Sequence, residues 1–154
     1  MHADSNAPVE RRPRVLIADD MPDTVELFEV YLAETGYEIR SATDGEETLC
    51  IIRDWRPDVV LLDIMMPKIS GFEVCKRLRG DPTTKDTAVL MLTALDQPSD
   101  IDRAVEAGTD DFLTKPINKN ELLLRVRSLL ESQRNKRPLD RALSYIEAVE
   151  RGGA

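Results

Sequence analysis

Five side chains that carry a carboxylate, a hydroxyl or an amine each follow a short apolar run of this 154-residue chain. They are Asp19, Asp20, Asp63, Thr93 and Lys115. Three carboxylates that lie together repel one another unless a cation neutralises them. The chain has one histidine, at position 2, and two cysteines, at positions 50 and 75, that fit no metal-binding spacing. The ligands on offer are therefore oxygen atoms, which favour a hard ion such as Mg²⁺.

A carboxylate beside a bound Mg²⁺ is a candidate nucleophile toward phosphorus, and the product of its attack is an aspartyl phosphate. Phosphoryl transfer requires that the negative charge on the transferred oxygens be neutralised. The metal ion, the ammonium of Lys115 and the hydroxyl of Thr93 are suited to that role. The residue types therefore predict Mg²⁺-dependent phosphoryl chemistry, provided that the fold brings them together.

Apolar runs that alternate with amphipathic segments predict the elements that position these side chains. Unbroken runs such as Val15–Ala18 and Val59–Leu62 are typical of strands buried on both faces of a parallel sheet. The three other predicted strands are 37–42, 88–92 and 111–114. A helical repeat follows each strand, and the first helix is predicted to begin at Pro22 and to end with Gly36 as its C-cap.

Strands that alternate with helices over short connections form a parallel sheet covered by helices on both faces. Five such units fit the α/β, flavodoxin-like (βα)5 doubly wound fold with strand order 2-1-3-4-5. The order is taken from that fold class rather than from the sequence pattern. In this order strands 1 and 3 are neighbours, and ligands bind beyond the carboxyl ends of the strands. We therefore expect all five reactive side chains at one edge of the sheet.

Four segments resemble the signature blocks of response-regulator receiver domains, the phosphoacceptor modules of two-component signalling systems. They are VLIADD (Val15–Asp20), VVLLDIMMP (Val59–Pro67), MLTA (Met91–Ala94) and GTDDFLTKP (Gly108–Pro116). Each block ends a predicted strand, and the blocks occur in the family's order. The likeness defines a receiver domain at 14–131, preceded by a lead-in at 1–13 that we expect to be disordered and followed by a helical extension or linker at 132–154.

The resemblance implies a phosphoacceptor and a set of metal ligands. Asp63 is the implied phosphoacceptor. The implied ligands of Mg²⁺ are Asp20 directly, Asp19 largely through water, Asp63 itself, and the backbone carbonyl of Met65.

The resemblance also implies the residues that respond to the phosphoryl group. Thr93 is expected to move toward that group and Lys115 to pair with it, while Ala94 leaves room for it. Phe112 holds the place of the switch aromatic, which turns inward when Thr93 moves. Pro116 is expected to follow a cis peptide bond, a conformation that occurs mainly before proline.

The implied function is that of a signalling module rather than an enzyme. A sensor histidine kinase or a histidine phosphotransfer protein donates the phosphoryl group, and the resulting conformational change controls a partner or an output domain. The alternative within the family is a degenerate receiver that acts as an unphosphorylated protein-binding adaptor. The presence of Asp20, Asp63, Thr93 and Lys115 argues against that alternative.

Two other classes of protein share a similar sheet. A Mg²⁺-dependent phosphatase with an aspartate nucleophile usually needs a second acid to protonate the leaving group, and apolar Met65 stands where that acid is expected. A flavin-binding electron carrier needs a loop that holds a phosphate after strand 1. The carboxylates of Asp19 and Asp20 would repel that phosphate.

Three positions depart from the family's pattern. Ser70 stands before Gly71, where family members often have Asp or Asn. Met65 and Leu95 are apolar where polar side chains in the family help to position the attacking water. We therefore expect slow self-dephosphorylation.

Composition limits the partners and the location of the chain. About 42% of the residues are hydrophobic and 32% are charged, which is typical of a folded domain rather than a disordered chain. A net charge of -8 disfavours direct binding to nucleic acid. No apolar stretch has the length of a membrane helix, and we expect a cytoplasmic location without a membrane contact.

Two surfaces are candidates for the output. The face of helix 4, strand 5 and helix 5 carries charges that suit a symmetric homodimer, namely Arg103, Asp110, Asp111, Lys119 and Arg125. The alternative is that these charges are simply solvated. The extension has an apolar stripe of Leu139, Leu143, Ile146 and Val149 at helical spacing. That stripe is expected to pack on the receiver, to pair with a second copy, or to lead into an output domain beyond residue 154.

Overall fold

A computed structural model describes residues 11–94 and 98–134 of the chain. Strands and helices alternate throughout these residues. The strands are β1 (Arg14–Ala18), β2 (Glu38–Ala42), β3 (Val59–Asp63), β4 (Ala88–Thr93) and β5 (Asp111–Thr114). The helices are α1 (Pro22–Tyr31), α2 (Gly45–Trp55), α3 (Gly71–Gly80), α4 (Pro98–Ala107) and α5, the helical residues 119–134.

The five strands form one parallel sheet in the order β2-β1-β3-β4-β5. This confirms the predicted flavodoxin-like α/β fold. The chain moves outward from β1 to β2 and then returns across β1 to β3, so the direction of winding changes between β1 and β3. Loops that leave these two strands diverge, and the crevice between them is where sheets of this kind bind ligands.

The two faces of the sheet are covered by different helices, because successive side chains of a strand point to opposite faces. On one face, Leu16 and Leu62 pack with α2, α3 and α4 through Ile52, Val74 and Ala104. The core of the other face includes Ile17 and Leu61 of the strands, Phe28 of α1 with Leu32 directly after that helix, and Leu122 and Val126 of α5. Strands β3 and β4 are buried along their whole length, which explains why their sequences are unbroken apolar runs.

Side-chain caps set the starts of α2 and α3. Asp44 accepts a hydrogen bond from the Glu47 backbone N–H at 2.8 Å, and Glu47 accepts one from the Thr43 N–H at 3.1 Å. The first bond is a side-chain N-cap of α2, and the second ties Glu47 back to the residue before the cap, so two backbone donors near the helix start are satisfied. Ser70 caps α3 by accepting from the Glu73 N–H at 3.3 Å.

The predicted end of α1 at Gly36 is wrong. The helix ends at Tyr31, with Leu32 as its C-cap. The hydroxyl of Thr35 donates to the Leu32 carbonyl at 2.7 Å, which satisfies a carbonyl that another helical turn would have used. Gly36 lies in the turn that follows, with a φ of 82°.

Parts of the predicted lead-in and extension lie outside the described residues, namely 1–10 and 135–154, and so do the apolar stripe of the extension and Leu95. Two residues in the described part of the lead-in contact the domain. Arg11 forms an ion pair with Asp58 at 2.9 Å, and Arg12 donates to the Gly36 carbonyl at 2.6 Å. Across residues 11–94 and 98–134, no helix has the length and apolar character needed to cross a membrane.

Gly71 allows α3 to begin directly against β3, and replacing it by alanine tests that close contact. Its N–H donates to the Ile64 carbonyl at 2.9 Å, and a β-carbon would lie 2.4 Å from the carbonyl oxygen of Asp63. We expect Gly71→Ala to lower the free energy of unfolding by about 1–3 kcal/mol, because backbone atoms must move apart.

The matched control is Gly80→Ala at the other end of α3, where a β-carbon would meet nothing within 4 Å. That change is expected to be neutral or to stabilise the protein by up to about 1 kcal/mol. Urea denaturation measures both variants. Equal stability of Gly71→Ala and wild type would contradict the close contact.

Candidate functional site

The β1–α1 connection supplies two of the carboxylates. β1 ends at Ala18, and Asp19 follows with only 1% of its surface exposed, whereas Asp20 is exposed. The Met21 N–H donates to Asp19 Oδ1 at 2.9 Å, and the Asp19 N–H donates to the Ala42 carbonyl of β2 at 3.0 Å. These bonds fix Asp19 at the carboxyl edge of the sheet.

Asp63, the last residue of β3, supplies the third carboxylate. It is 5% exposed, and its Oδ1 accepts from the Met65 N–H at 3.3 Å. One carboxylate oxygen from each of Asp19, Asp20 and Asp63 lies within 4.8 Å of the others. The structure thus brings together the three aspartates that the sequence analysis singled out.

Lys115 reaches these carboxylates from β5, two strands away from β3. Its Nζ lies 3.2 Å from Asp19 Oδ2 and 3.7 Å from Asp63 Oδ1. Its N–H donates to the Thr93 carbonyl at 2.7 Å, and the Lys115–Pro116 peptide bond is cis. One ammonium therefore bridges two of three carboxylates, which leaves the cluster with an excess of negative charge when all four groups are ionised.

The pKa of Asp63 is raised to about 6. Burial is the main cause, and the neighbouring charge of Asp19 adds to it. The charge of Lys115 and the Met65 N–H act in the opposite direction, and Asp20 raises the pKa slightly. The surroundings of Asp63 thus disfavour its charged form, which it nevertheless adopts at neutral pH.

The hydroxyl and the aromatic ring that were predicted to respond to the site lie beside it. Thr93 ends β4 and is buried, and Ala94 follows it in an exposed position. Phe112 of β5 is half-buried against the core under α4. Thr93 and Phe112 line a cavity of about 10 Å³, and the remaining wall of that cavity is formed by Ile64, Asp100, Ile101 and Ala104. A space of that size holds about one water molecule and is too small for an aromatic ring.

The donor set suits Mg²⁺. Three clustered carboxylates offer hard oxygen ligands, and the charges of Asp19 and Asp20 contribute, after burial, to the raised pKa of Asp63, so a cation at the cluster would relieve that repulsion. The main chain of Met65 is tied to Asp63 through its N–H, which keeps its carbonyl in the same loop, while its side chain is 66% exposed. The residues present therefore fit a magnesium ion held by oxygen atoms.

The contacts of the loop between β3 and α3 were not predicted from the sequence. Lys68 has a φ of 68° and forms ion pairs with Asp44 at 3.4 Å and Glu46 at 3.7 Å at the start of α2. A positive φ is uncommon for a residue other than glycine. No local pattern predicts the contact of Asp44 and Gly45 with residues 67–69, because it depends on tertiary packing.

The raised pKa of Asp63 predicts a pH-dependent gain in stability on replacement by asparagine. A folded pKa above the usual 3.8 means that the native state binds this proton more tightly than the unfolded chain does. The stability of the wild type therefore falls as pH rises from about 4 through about 6. Without divalent metal, we expect Asp63→Asn to be more stable than wild type by about 2 kcal/mol at pH 7.5 and nearly equal at pH 4.

Urea denaturation with EDTA at both pH values measures this difference. Asp54→Asn, at an exposed position of α2, is the matched control and is expected to change stability by less than about 0.5 kcal/mol at either pH. Equal stability of Asp63→Asn and wild type at pH 7.5 would show that the charged carboxylate is not under strain.

Comparison with known proteins agrees with this geometry. The family described as "Response regulator receiver domain" matches residues 15–127. The DNA-binding dual master transcriptional regulator RpaA of Synechocystis is 41% identical over 140 residues, which are 91% of this chain and 57% of that protein. The response regulator PleD of Caulobacter vibrioides is 45% identical over 116 residues, which are 75% of this chain and 26% of that protein.

A solved structure gives the same result. The signal receiver domain of a signal transduction histidine kinase from Syntrophus aciditrophicus superposes with a TM-score of 0.74 at 35% identity, and the match covers 78% of this chain and 91% of that domain. The chain spans 57% of RpaA and 26% of PleD, so the likeness concerns their receiver portions. On the family match, which covers most of the described residues, the chain belongs to the response regulator receiver domain family.

Proposed function

We propose that this chain accepts a phosphoryl group on Asp63 from a sensor histidine kinase or a histidine phosphotransfer protein. The observation that carries the proposal is the meeting of three carboxylates within 4.8 Å, with Lys115 Nζ 3.7 Å from Asp63 Oδ1. Acidic clusters alone are common on protein surfaces, but here an ammonium also lies between two buried carboxylates at the point where the winding of the parallel sheet reverses. That arrangement meets the electrostatic needs of phosphoryl transfer to a carboxylate.

Asp19, Asp20, Asp63 and the Met65 carbonyl are the groups that would hold Mg²⁺ in this function. The bound ion supplies positive charge beside the transferred phosphoryl oxygens. Lys115 supplies the second positive charge from the side of β5, at 3.7 Å from the reacting carboxylate. Together these charges offset the repulsion between an anionic phosphoryl group and three aspartates.

The transfer forms one bond and breaks one. A carboxylate oxygen of Asp63 attacks phosphorus, and the bond between phosphorus and the donor's imidazole nitrogen breaks, with its electron pair going to the imidazole. Asp63 must be ionised to attack, and a pKa of about 6 leaves it mostly ionised at neutral pH. The Met65 N–H and Lys115 both contact Oδ1, which fixes the plane of the attacking carboxylate.

The phosphoryl group acts on the rest of the domain through Thr93 and Phe112 in this proposal. Thr93 moves toward the new phosphoryl oxygens, and Ala94 leaves space for them. The cavity under α4 does not accommodate the Phe112 ring while Thr93 and α4 keep their present positions. Inward rotation of Phe112 therefore requires movement of Thr93 and α4, which couples the site to the face of α4, β5 and α5.

That face gives limited support for a charged dimer interface. Asp110 pairs with Arg79 at 2.8 Å, and Asp111 pairs with Arg125 at 3.2 Å, so these four charges are partnered within the chain. A dimer through this face would therefore not depend on these four charges for contacts between the two copies. The proposed target of the conformational change is a separate partner or an output domain such as longer relatives would supply. The proposal includes no direct contact with nucleic acid.

A degenerate receiver that binds a partner without phosphorylation is the second candidate in the family. The approach of Lys115 to Asp19 and Asp63 favours the phosphoacceptor instead. A protein-binding surface has no need for a carboxylate whose pKa is raised by burial beside two others.

Intact mass after incubation with Mg²⁺ and acetyl phosphate tests the proposal. We expect wild type to gain one phosphoryl group, Asp63→Ala and Asp63→Asn to gain none, and the control Asp54→Asn to behave as wild type. EDTA is expected to abolish the gain. No added mass in wild type at any Mg²⁺ concentration would demote Asp63 and favour the adaptor.

Light scattering after size exclusion on the same samples identifies the output. A shift to a dimer only in the phosphorylated sample would assign the output to self-association. A monomer in both samples would assign it to a separate partner or to a further domain.

The apolar side chain at position 65 predicts slow hydrolysis of the phosphorylated protein. Met65 is exposed beside the site and offers no hydrogen bond to an attacking water. We expect Met65→Asn to shorten the lifetime of the phosphorylated form several-fold, whereas Leu124→Asn, an equally exposed apolar position on α5, leaves it unchanged. The decay of phosphorylated protein after removal of acetyl phosphate measures this, and a wild-type lifetime of seconds would contradict the prediction.

A further inference from the structure

The loop of residues 64–70, which we call the β3–α3 loop, contains a strained turn. The Ile69 N–H donates to the Pro67 carbonyl at 2.8 Å, and Lys68 between them has a φ of 68°. A hydrogen bond across three residues with a positive φ at the centre is a rare and strained turn. Such a conformation persists only where surrounding contacts hold it.

The contacts that hold this turn come from the start of α2. Lys68 Nζ lies 3.4 Å from Asp44 Oδ2 and 3.7 Å from Glu46 Oε2. Asp44 is a firm anchor, because its other oxygen already caps α2 by accepting from the Glu47 N–H at 2.8 Å. The Lys68 side chain is 57% exposed, so the ion pairs restrain the turn from the protein surface and are not part of the core.

The backbone of the loop also rests on the same helix start. The Gly45 N–H donates to the Pro67 carbonyl at 3.3 Å. A β-carbon on Gly45 would lie 2.3 Å from the Ile69 carbonyl oxygen, so the two backbones are in direct contact. Residues on both sides of Lys68 are thus placed against α2.

The same loop carries the groups that face Asp63. The Met65 N–H donates to Asp63 Oδ1, and the Gly71 N–H, just beyond the loop, donates to the Ile64 carbonyl. Met65 lies three residues before Lys68, with only Met66 and Pro67 between them. A change in the turn at Lys68 therefore alters the position of the Met65 peptide groups.

We propose that Lys68 is a positioning residue for the acidic site: its ion pairs with Asp44 and Glu46 hold the strained turn and so set the Met65 carbonyl and N–H for metal binding beside Asp63. The inference rests on the proposed function, because it concerns the same metal. In this proposal the β2–α2 connection and a lysine outside the acidic cluster both contribute to the affinity for Mg²⁺.

The sign of the effect separates this role from simple electrostatics. Removal of a positive charge near an acidic cluster tightens the binding of a cation if charge alone matters. Loss of the ion pairs that hold the turn has the opposite effect and weakens the binding of the cation. We expect Lys68→Ala to bind Mg²⁺ about three- to fivefold more weakly than wild type, the change that an exposed ion pair typically supports.

Three further variants complete the design. Lys68→Arg keeps the charge and is expected to bind Mg²⁺ within about twofold of wild type. Asp44→Asn keeps an oxygen that caps α2 and removes the charge, so it should weaken binding in wild type but much less in Lys68→Ala. Arg77→Ala is the matched control, because it removes a similarly exposed cation, paired with Glu73 on α3, without touching the loop.

Calorimetric titration with Mg²⁺ alone measures these affinities, and thermal unfolding verifies that each variant is folded. Amide exchange of Met65 and Ile69 by NMR, without metal, provides a second readout, and faster exchange is expected in Lys68→Ala. Wild-type binding of Mg²⁺ with equal or tighter binding by Lys68→Ala, and unchanged exchange, would overturn the inference while the proposed function stands. Failure of wild type itself to bind Mg²⁺ would overturn both.

Discussion

Repulsion among three carboxylates is the interaction on which the other features of this domain depend. Asp19, Asp20 and Asp63 lie within 4.8 Å, and two of them are almost fully buried. In such surroundings charges are poorly screened, and the raised pKa of Asp63 records the cost. One ammonium from Lys115 offsets only part of it. An excess of negative charge therefore remains at the site, and a divalent cation would reduce it.

The sheet is what keeps these groups from moving apart. β3 and β4 are buried along their whole length, and β1 is buried after its first residue. Their apolar side chains join two cores, one on each face, so an outward movement of a strand end would disrupt packing on both sides. Stability gained in the core offsets the electrostatic repulsion at the carboxyl edge, where Asp63 ends β3 and Asp19 and Asp20 follow β1.

These loops differ in how they are restrained. The β1–α1 connection is held by hydrogen bonds to the carboxylate and from the backbone N–H of Asp19. The β3–α3 loop is held by backbone contact with Gly45 and by the ion pairs of Lys68. The far side of the site, formed by Thr93, Phe112 and α4, encloses only a small cavity. Restraint on the side of the carboxylates and a small cavity on the side of α4 suit the proposed function, which requires both a fixed metal site and a change of packing.

The sequence by itself determined the order of the elements and the identity of the reactive side chains. Unbroken apolar runs that end in Asp, Thr or Lys are a local pattern, and parallel strands place their carboxyl ends at one edge. The predicted end of α1 at Gly36 was wrong, since the helix ends at Tyr31 with Leu32 as its C-cap, and the Thr35 hydroxyl donates to the Leu32 carbonyl in the turn that follows. Only the tertiary structure decided the raised pKa of Asp63, the partners of Asp110 and Asp111, and the attachment of Lys68 to Asp44. Those features depend on burial and on distances between residues far apart in the chain, which no local pattern encodes.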